Sequence, residues 1–394
     1  MKDLILKLKM FFTKLLPCFS LIIPKRKNLW IFGSWQGKLY ADNTKALFEY
    51  INKNHSNIDA VWITREGNIV KKLKNQGYKC YTRYSLKGIW ATLRAEIAFE
   101  TEGIQDISYF LNSKKTKVVQ LWHGMGAKAL QWKSKNGEKT FEDEKRRREV
   151  SSYYWISTSE LYTKVNSELQ GVPRERFVIT GYPRNDNIFH APYNEFMENL
   201  KKKYINHHFV IYMPTHRNFG ADGNKLINLD ELKKVDLALK DKNIIMVYKP
   251  HMHELKNFIP YENTFSNIIL AKDQEIWGDV YNYLHYFDLL ISDYSSVMTD
   301  FMCTGKPIVI FAYDIDEYIN GDAGLNDFFW EFPGGPMCYT WANVVETTYN
   351  LLVNDSWKEE REMCRKQYHN YNDGCNCERV YDMVKNIVLK DKIS

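Results

Sequence analysis

The chain has 394 residues, a length that predicts two or three domains of ordinary size. Hydrophobic residues make up 44%, aromatic residues 15% and charged residues 26%, which excludes a globally disordered chain. The formal net charge of +6 arises entirely within residues 1–27, where seven basic side chains face Asp3 alone. The remainder is balanced, so the composition excludes a globally basic nucleic-acid-binding protein.

Residues 1–27 are predicted to form an amphipathic segment at a membrane surface. The apolar side chains that share one helical face are Leu4, Leu8, Phe11, Phe12 and Leu15. Lysines on the other side would lie among the headgroups of an anionic cytoplasmic leaflet. The uncharged stretch from Leu15 to Pro24 is about half of the ~20 residues needed to span a bilayer. The alternative is a first helix packed on the following domain.

The cysteines indicate an intracellular redox environment. There are seven, an odd number, and the spacing of Cys375 and Cys377 lacks the C-x-x-C pairing that is typical of zinc sites. We interpret them as reduced thiols. Together with the amphipathic segment, this predicts a peripheral protein on the cytoplasmic face of the cell membrane, with no nucleic-acid partner.

From residue 28 onward, short apolar runs alternate with amphipathic segments in two series. The first series comprises predicted strands Leu29–Phe32, Ala60–Ile63, Ile97–Phe99, Val118–Trp122, Tyr153–Ser157 and Phe177–Thr180, with helices Thr44–Lys53, Ile69–Asn75 and Glu160–Leu169. The second comprises strands Phe209–Met213, Ile244–Tyr248, Ile268–Leu270, Phe287–Ile291 and Ile308–Phe311, with helices Leu229–Leu239, Val280–Tyr286 and one from about Ser296.

Strands that alternate with helices imply parallel sheets covered on both faces, so the predicted class is α/β. We predict two Rossmann-like domains facing a cleft, at residues 28–200 and 201–394. The tail helices are predicted at Trp341–Val353, Lys358–Gln367 and Glu378–Leu389. They would cap the second domain or cross back to the first.

Chemically active side chains follow the ends of five predicted strands. The five segments are Gln120–Lys128, Thr180–Asp186, Tyr212–Arg217, Val247–His253 and Leu290–Phe301. Ligands of open α/β sheets bind beyond the carboxyl ends of the strands. Together the segments supply histidines, cations and hydroxyls that suit a nucleotide diphosphate. Taken singly, a buried histidine is a hydrogen-bonding residue of the interior, and the serines are helix caps.

A dinucleotide-binding reading is disfavoured. Gly124-x-Gly126-x-x-Ala129 resembles the dehydrogenase fingerprint, but it lies well past the first strand. The position at which an acidic residue is expected, within 145–149, is mainly basic. The glycines still allow a backbone to approach a phosphate closely.

In their order, the five segments resemble the CDP-glycerol glycerophosphotransferase family of teichoic-acid and capsule biosynthesis. The motifs that carry the resemblance are Trp122-His123-Gly124 with Lys128, Gly181-Tyr182-Pro183-Arg184-Asn185-Asp186, Pro214-Thr215-x-Arg217, Lys249-x-His251 and Ser292-Asp293-Tyr294-Ser295-Ser296. The resemblance covers roughly residues 28–355 and implies a GT-B fold with no metal or other cofactor. It implies transfer of glycerol phosphate from CDP-glycerol to a lipid-linked acceptor, releasing CMP; close relatives use CDP-ribitol.

The resemblance also implies roles for individual residues. His123 would be the general base, and His251, Lys249 and Arg184 would stabilise charge on the phosphoryl oxygens and on CMP. Ser295 and Ser296 would bind the diphosphate. The other predicted contacts are Asp300 to a donor hydroxyl or a basic neighbour, Pro214 and Thr215 in the nucleotide cleft, and Gly124, Met125, Gly126, Ala127, Lys128 and Pro250 along the same edges.

Two departures and two rival functions remain open. Met125-Gly126 stands where the family frequently has Thr-Pro, and Asn320-Gly321 where arginine-glycine is common, which leaves the polyol and acceptor contacts in question. One rival is a nucleotide-sugar glycosyltransferase of the same fold; the other is a membrane-attached binding protein without activity. The choice between glycerol and ribitol, between one unit and many, and the oligomeric state also stay open.

Overall fold

The computed structural model describes residues 22–108, 111, 115–124, 153–190, 193–215, 229–250, 264–271, 279–321 and 324–390. They form two compact units, each built around one parallel sheet. The first unit takes its residues from Met1–His123, Lys139–Asp186 and Asp373–Ser394, and the second from Gly124–Glu138 and Asn187–Asn372. The α/β class and the two Rossmann-like units are therefore confirmed.

The first sheet has seven parallel strands in the order β3-β2-β1-β4-β5-β6-β7. Its strands are β1 (Arg26–Phe32), β2 (Asp59–Thr64), β3 (Cys80–Thr82), β4 (Ala95–Glu100), β5 (Lys117–Gln120), β6 (Tyr153–Ser157) and β7 (Phe177–Ile179). The second sheet has six, in the order β10-β9-β8-β11-β12-β13. Its strands are β8 (His208–Met213), β9 (Ile244–Tyr248), β10 (Ile268–Leu270), β11 (Leu289–Ser292), β12 (Ile308–Phe311) and β13 (Met337–Cys338).

The described helices connect these strands. They are α1 (Asp42–Asn54), α2 (Gly67–Asn75), α3 (Leu86–Arg94), α4 (Glu160–Gln170), α5 (Asp186–His190), α6 (Glu195–Lys203), α7 (Leu229–Asp241), α8 (Val297–Phe301), α9 (Ile315–Gly321), α10 (Asp327–Glu331), α11 (Trp341–Val353), α12 (Lys358–Tyr368) and α13 (Asn376–Met383). Within the described ranges, none is long and apolar enough to cross a bilayer.

Both faces of the first sheet are covered, as parallel sheets require. On one face, Phe32 of β1 stacks on Phe99 of β4 with ring centroids 4.6 Å apart, and Phe48 of α1 lies 5.3 Å from Phe32. On the other face, Leu29 and its aliphatic neighbours pack against Ala91 of α3. The unit therefore has an aromatic face and an aliphatic face.

The C-terminal helix α13 belongs to the first unit. Tyr381 places its ring 5.9 Å from Trp30 of β1 and stacks on His55 at 3.6 Å. The chain thus crosses back to the first unit, one of the two alternatives for the tail. The units divide after Asp186, whereas the predicted boundary lay at residue 200.

In the second unit, α7 and α11 cover one face of the sheet. Val235 of α7 and Val344 of α11 are buried against Val210 of β8 and Ile291 of β11 in one hydrophobic cluster. Trp341 at the start of α11 adds a ring 5.1 Å from that of Tyr212. This packing holds the ends of β8 and β11 beside each other.

Some elements differ from their predictions. The predicted helix Val280–Tyr286 is two 3-10 turns, Val280–Asn282 and Leu284–Tyr286, because valine, asparagine, histidine and tyrosine are weak helix formers. The predicted helix Glu378–Leu389 is α13 followed by a π-helical turn at Val384–Val388. Helix α3 was not predicted, since Leu86 and Trp90 on its outer side obscure the apolar periodicity.

Candidate active site

The carboxyl end of the first sheet carries His123, one of the two predicted catalytic histidines. After β5, Trp122 adopts the left-handed conformation with φ 53°, and its N–H donates to Oε1 of Gln120 at 3.0 Å. Gly124 follows with φ 123°, a conformation that favours glycine. The imidazole lies beside two indoles, with its centroid 4.3 Å from Trp122 and 5.7 Å from Trp35.

One hydrogen bond determines the protonation pattern of the His123 ring. Nδ1 lies 3.1 Å from the carbonyl oxygen of Thr101. Because a carbonyl oxygen only accepts, Nδ1 carries the proton and Nε2 holds the lone pair. Burial lowers the pKa of His123, and the nearby carboxylate of Asp42 partly offsets this effect. The ring is therefore a neutral base near pH 7.

The Thr101 peptide is held by a buried carboxylate. Oδ2 of Asp106 accepts from the N–H of Thr101 at 2.7 Å, from its hydroxyl at 3.1 Å and from the N–H of Glu102 at 2.8 Å. Oδ1 accepts from the N–H of Gln36 at 2.6 Å. Arg83 donates to the Gln36 carbonyl at 2.7 Å. These bonds fix the carbonyl that orients His123.

Arg184 forms a buried ion pair with Asp42. Its Nη1 donates to Oδ1 of Asp42 at 2.8 Å and to the His123 carbonyl at 2.9 Å. Its backbone N–H donates to Oδ1 of Asn43 at 3.1 Å. Asp42, at φ 70°, also accepts from the indole of Trp35 at 3.2 Å. Through these bonds the buried guanidinium holds the His123 loop, and the phosphate contact of Arg184 stays a prediction.

In the second unit, the loops after the adjacent strands β8 and β11 are tied together. The N–H of Thr215 donates to Asp293 at 2.8 Å, and the Thr215 hydroxyl donates to the same carboxylate. The hydroxyl of Ser292 donates to the carbonyl of Met213 at 2.6 Å. Pro214, which stands between Met213 and Thr215 in the sequence, is buried. The two predicted segments thus meet at one edge of the sheet.

Ser295 and Ser296 are half-buried at the same edge, just before α8. Ser296 has helical dihedral angles, and its side chain makes no capping hydrogen bond. The side chain of Ser296 therefore does not cap α8. Asp300 is fully buried in α8, and its Oδ2 accepts from the hydroxyl of Tyr281 at 2.6 Å. Asp300 therefore contacts the supporting interior through Tyr281, and its predicted contact with a donor hydroxyl or a basic neighbour stays a prediction.

Lys249 and Pro250 follow β9, which neighbours β8. The N–H of Lys249 donates to the carbonyl of Tyr212 at 2.9 Å, and its side chain is half-buried. Burial lowers the pKa of the Lys249 ammonium group, and Asp279 partly offsets this effect. Pro250 is buried. A half-buried cation at the edge of the second sheet is suited to an anionic ligand.

Five predicted site residues lie outside the described residues: Met125, Gly126, Ala127, Lys128 and His251. Among the described residues, the structure adds Asp42, Thr101 and Asp106 to the first site, and it gives Asp293 of the fifth segment its contact with Thr215. Thr101 comes directly after β4, so the rule applied to the five segments could have found it. Asp106 has no such signal, because it reaches Thr101 from a separate 3-10 turn.

The sequence of this chain is similar to those of known glycerol-phosphate transferases and polymerases. Residues 15–386 match the family model of CDP-glycerol:poly(glycerophosphate) glycerophosphotransferases. The chain is 28% identical to a teichoic acid glycerol-phosphate transferase of Staphylococcus aureus, over 90% of this chain and 92% of that protein. It is also 28% identical to a teichoic acid poly(glycerol phosphate) polymerase of Bacillus spizizenii, over 83% and 84% of the two chains. Relatives named for ribitol phosphate match at 24–25% identity.

The fold matches a solved structure. That of the wall teichoic acid polymerase TagF superposes with a TM-score of 0.76 at 23% sequence identity, over 93% of this chain and 90% of that one. At this identity the likeness shows the fold, which is GT-B-like.

Proposed function

Because the chain belongs to the CDP-glycerol:poly(glycerophosphate) glycerophosphotransferase family, we propose that it transfers glycerol phosphate from CDP-glycerol to a lipid-linked acceptor. An acceptor hydroxyl attacks the phosphorus that bears glycerol. The bond from that phosphorus to the bridging oxygen breaks, and CMP leaves with the electron pair. The acceptor proton goes to the general base, and a new phosphodiester remains.

The observation that carries the proposal is the state of His123. Its Nδ1 is engaged by the Thr101 carbonyl, so Nε2 is the atom with a lone pair for the acceptor proton. No described residue forms a hydrogen bond to Nε2. A pKa lowered by burial keeps the ring unprotonated at neutral pH. These are the properties that a general base needs.

Arg184 and Asp42 are proposed as positioning residues for this base. Both side chains are buried, with exposed fractions of 4% and 5%. Their ion pair and the bond from Arg184 to the His123 carbonyl hold the loop after β5. The predicted contact of Arg184 with the donor phosphate is kept as a proposal beside this positioning role.

The donor is proposed to bind at the carboxyl edge of the second sheet. Lys249 supplies a half-buried cation, and Ser295 and Ser296 supply hydroxyl groups for the diphosphate. Thr215, held by Asp293, would line the nucleotide subsite with Pro214 and Pro250. His251 is proposed to stabilise charge on the leaving CMP, and the backbone at Gly124–Lys128 to approach the donor phosphate.

A donor panel tests the proposal. Purified protein is incubated with CDP-glycerol, CDP-ribitol or a UDP-sugar and a synthetic lipid-linked acceptor, and the nucleotide and product masses are measured. We expect CMP and a product enlarged by glycerol phosphate. CMP with a product enlarged by ribitol phosphate would identify CDP-ribitol as the donor. UDP release would indicate a glycosyltransferase. No nucleotide release with any donor would contradict the proposed function.

The His123 substitution tests the mechanism. His123→Gln should lower turnover by roughly 10²–10⁴-fold with a smaller effect on CDP-glycerol binding. The matched control is His207→Gln, a substitution of a half-buried histidine in the second unit that lies outside the proposed site. Turnover should also survive a chelator, because the proposed charge stabilisation uses side chains. Near-normal turnover of His123→Gln would contradict the assignment of the base.

The proposed lipid-linked acceptor also determines the proposed location of the enzyme. A lipid-linked acceptor lies at the membrane, and residues 1–27 have the basic and apolar pattern of an interfacial segment. We therefore propose that the enzyme works as a peripheral protein on the cytoplasmic face of the cell membrane. Most of that segment, residues 1–21, lies outside the described residues.

A further inference from the structure

Helix α3 presents an apolar stripe to the outside of the first unit. Leu86 and Trp90 lie one helical turn apart, and Tyr84 precedes them; their exposed fractions are 88%, 54% and 59%. The described residues of this unit include five exposed large hydrophobic side chains, and these three are among them. A fourth, Ile22, precedes Lys25, whose Nζ donates to the Leu93 carbonyl at 2.8 Å. Exposed apolar side chains thus concentrate at one helix.

Close packing fixes the position of helix α3, which carries the stripe. The side chain of Ser85 caps the helix by accepting from the N–H of Gly88 at 3.1 Å. A Cβ atom at Gly88 would lie 2.1 Å from the carbonyl oxygen of Thr82, so only glycine allows the helix to pack this closely on the end of β3. Ala91 is buried in the aliphatic core on the inner side. The outward direction of the stripe follows from this packing.

The charges around the stripe are basic. Helix α3 contains no acidic residue, and Lys87 is exposed beside Leu86. The guanidinium of Arg94 lies 5.4 Å from the Trp90 ring centroid. At the same end, the burial of Lys25 and the proximity of Lys115 lower the pKa of Lys25 to about 8. An apolar stripe bordered by lysine and arginine matches the charge of an anionic lipid surface.

We propose that the α3 stripe, Tyr84, Leu86 and Trp90 with Lys87 and Arg94, is a membrane-docking surface for an anionic bilayer. Leucine would insert at the boundary of headgroups and acyl chains. Tryptophan and tyrosine favour the headgroup level, where one end of the ring is apolar and the other is hydrated. The basic side chains would contact anionic headgroups. The surface is separate from residues 1–27 in sequence, and it rests on the proposed membrane location of the enzyme.

The stripe also bears on the orientation of the catalytic edge. Leu86 follows β3 by a short turn, so the start of the stripe lies at the carboxyl edge of the sheet, as His123 does. Four strand spacings separate β3 from β5, which corresponds to roughly 19 Å. Arg83 in that turn donates to the carbonyls of Gln36 and Gln105 at 2.7 Å, beside the network that holds Thr101. Docking would bring this edge near the headgroup region.

Vesicle sedimentation of the full chain tests the proposal. Binding to phosphatidylcholine vesicles with and without phosphatidylglycerol is measured for the wild type and for the double variant Leu86→Ser/Trp90→Ser. The matched control is Ile205→Ser/Leu237→Ser, two exposed aliphatic residues of the second unit. We expect at least tenfold weaker binding of the α3 variant to anionic vesicles and less than twofold change in the control. Lys87→Gln should weaken binding about fivefold.

The outcomes separate this inference from the proposed function. Thermal unfolding confirms that each variant is folded, and CMP release with a water-soluble acceptor should stay at the wild-type level. Unchanged vesicle binding of Leu86→Ser/Trp90→Ser would overturn the docking surface, as would equal loss in the control. A change in oligomeric state without a change in vesicle binding would assign the stripe to contacts between proteins. Absence of CMP release from the wild type would contradict the function and leave the vesicle result standing.

Discussion

At the scale of single residues, His123 derives its chemistry from backbone atoms and buried charges. The Thr101 carbonyl selects the tautomer, and Asp42 and Arg184 exert opposite effects on the ring. Asp42 raises the pKa of His123 and Arg184 lowers it, while burial lowers it most. The balance of these contributions determines the pH range in which the base is active.

The first prediction concerns the pH dependence of turnover. A general base must be unprotonated, so activity should fall as the pH drops through the pKa of His123 in the folded protein. Because burial lowers that pKa, kcat/KM should fall on the acidic side with a midpoint below pH ~6.5, the ordinary pKa of histidine. A limb at or above 6.5 would contradict the environment described for His123.

The second prediction concerns the Arg184–Asp42 ion pair, whose two members should shift the acidic limb of the pH profile in opposite directions when each is substituted. Asp42→Asn removes an attraction for the protonated ring and should shift the acidic limb of kcat/KM to lower pH. Arg184→Gln removes a repulsion and should shift it to higher pH. Each variant leaves a buried charge unpaired, so stability should fall by roughly 3–5 kcal/mol. Shifts of the same sign in both variants would show that the limb reports unfolding or another group.

The third prediction concerns Asp106, proposed to position the Thr101 carbonyl. Asp106→Asn replaces one carboxylate oxygen by an amide NH₂ group, which cannot accept from the backbone N–H groups. Turnover should fall while KM for CDP-glycerol changes little, and Asp106→Glu should restore less than the wild-type rate because the turn is tightly packed. A control is Asp59→Asn at a surface ion pair. Equal effects on kcat and KM would contradict a positioning role.

At the scale of elements, one carboxylate caps the start of the tail helix α13. Oδ1 of Asp186 accepts from the N–H of Asn376 at 2.9 Å, and Oδ2 accepts from the N–H of Cys377 at 2.7 Å. These N–H groups belong to the first turn of a helix, where no intrahelical acceptor exists. Asp186 thus links the loop after β7 to the C-terminal end of the chain.

The fourth prediction follows from this cap. Asp186→Ala should lower the free energy of unfolding by about 1–2 kcal/mol, the usual cost of a lost helix cap. Chemical denaturation followed by circular dichroism measures the change. Asp355→Ala, which removes a carboxylate that contacts Arg361 in the second unit, serves as a comparison outside α13. An Asp186→Ala variant as stable as the wild type would show that α13 docks through its apolar contacts alone.

At the scale of the whole molecule, each unit depends on segments that are distant in the chain. Residues 373–394 complete the first unit, whose other residues end at Asp186. Tyr381 covers Trp30, and Lys117 of β5 donates to the carbonyl of Val388. The larger segment of the second unit, Asn187–Asn372, is therefore inserted between two parts of the first. A change in the tail should destabilise the first unit most.

Features that depend on local patterns could be predicted from the amino-acid sequence. Apolar runs located β6, β9, β10 and β12 with their observed bounds, because fully buried strands read as continuous hydrophobic stretches. Motifs at strand ends located His123, Ser295 and Ser296 at sheet edges, because parallel strands align their carboxyl ends. The family resemblance followed from the same motifs and is confirmed by the match over residues 15–386.

Contacts between groups that are distant in the sequence became known from the three-dimensional fold. The Asp106 carboxylate accepts from the N–H of Gln36 across 70 positions of sequence, and Arg184 turns inward to Asp42 across 142 positions. The return of α13 to the first unit likewise depends on aromatic surface left open on β1. Such contacts arise from packing among elements whose separation in sequence carries no periodic signal. Local patterns therefore predicted the strands and the histidine, while burial and long-range hydrogen bonds assigned each polar side chain its role.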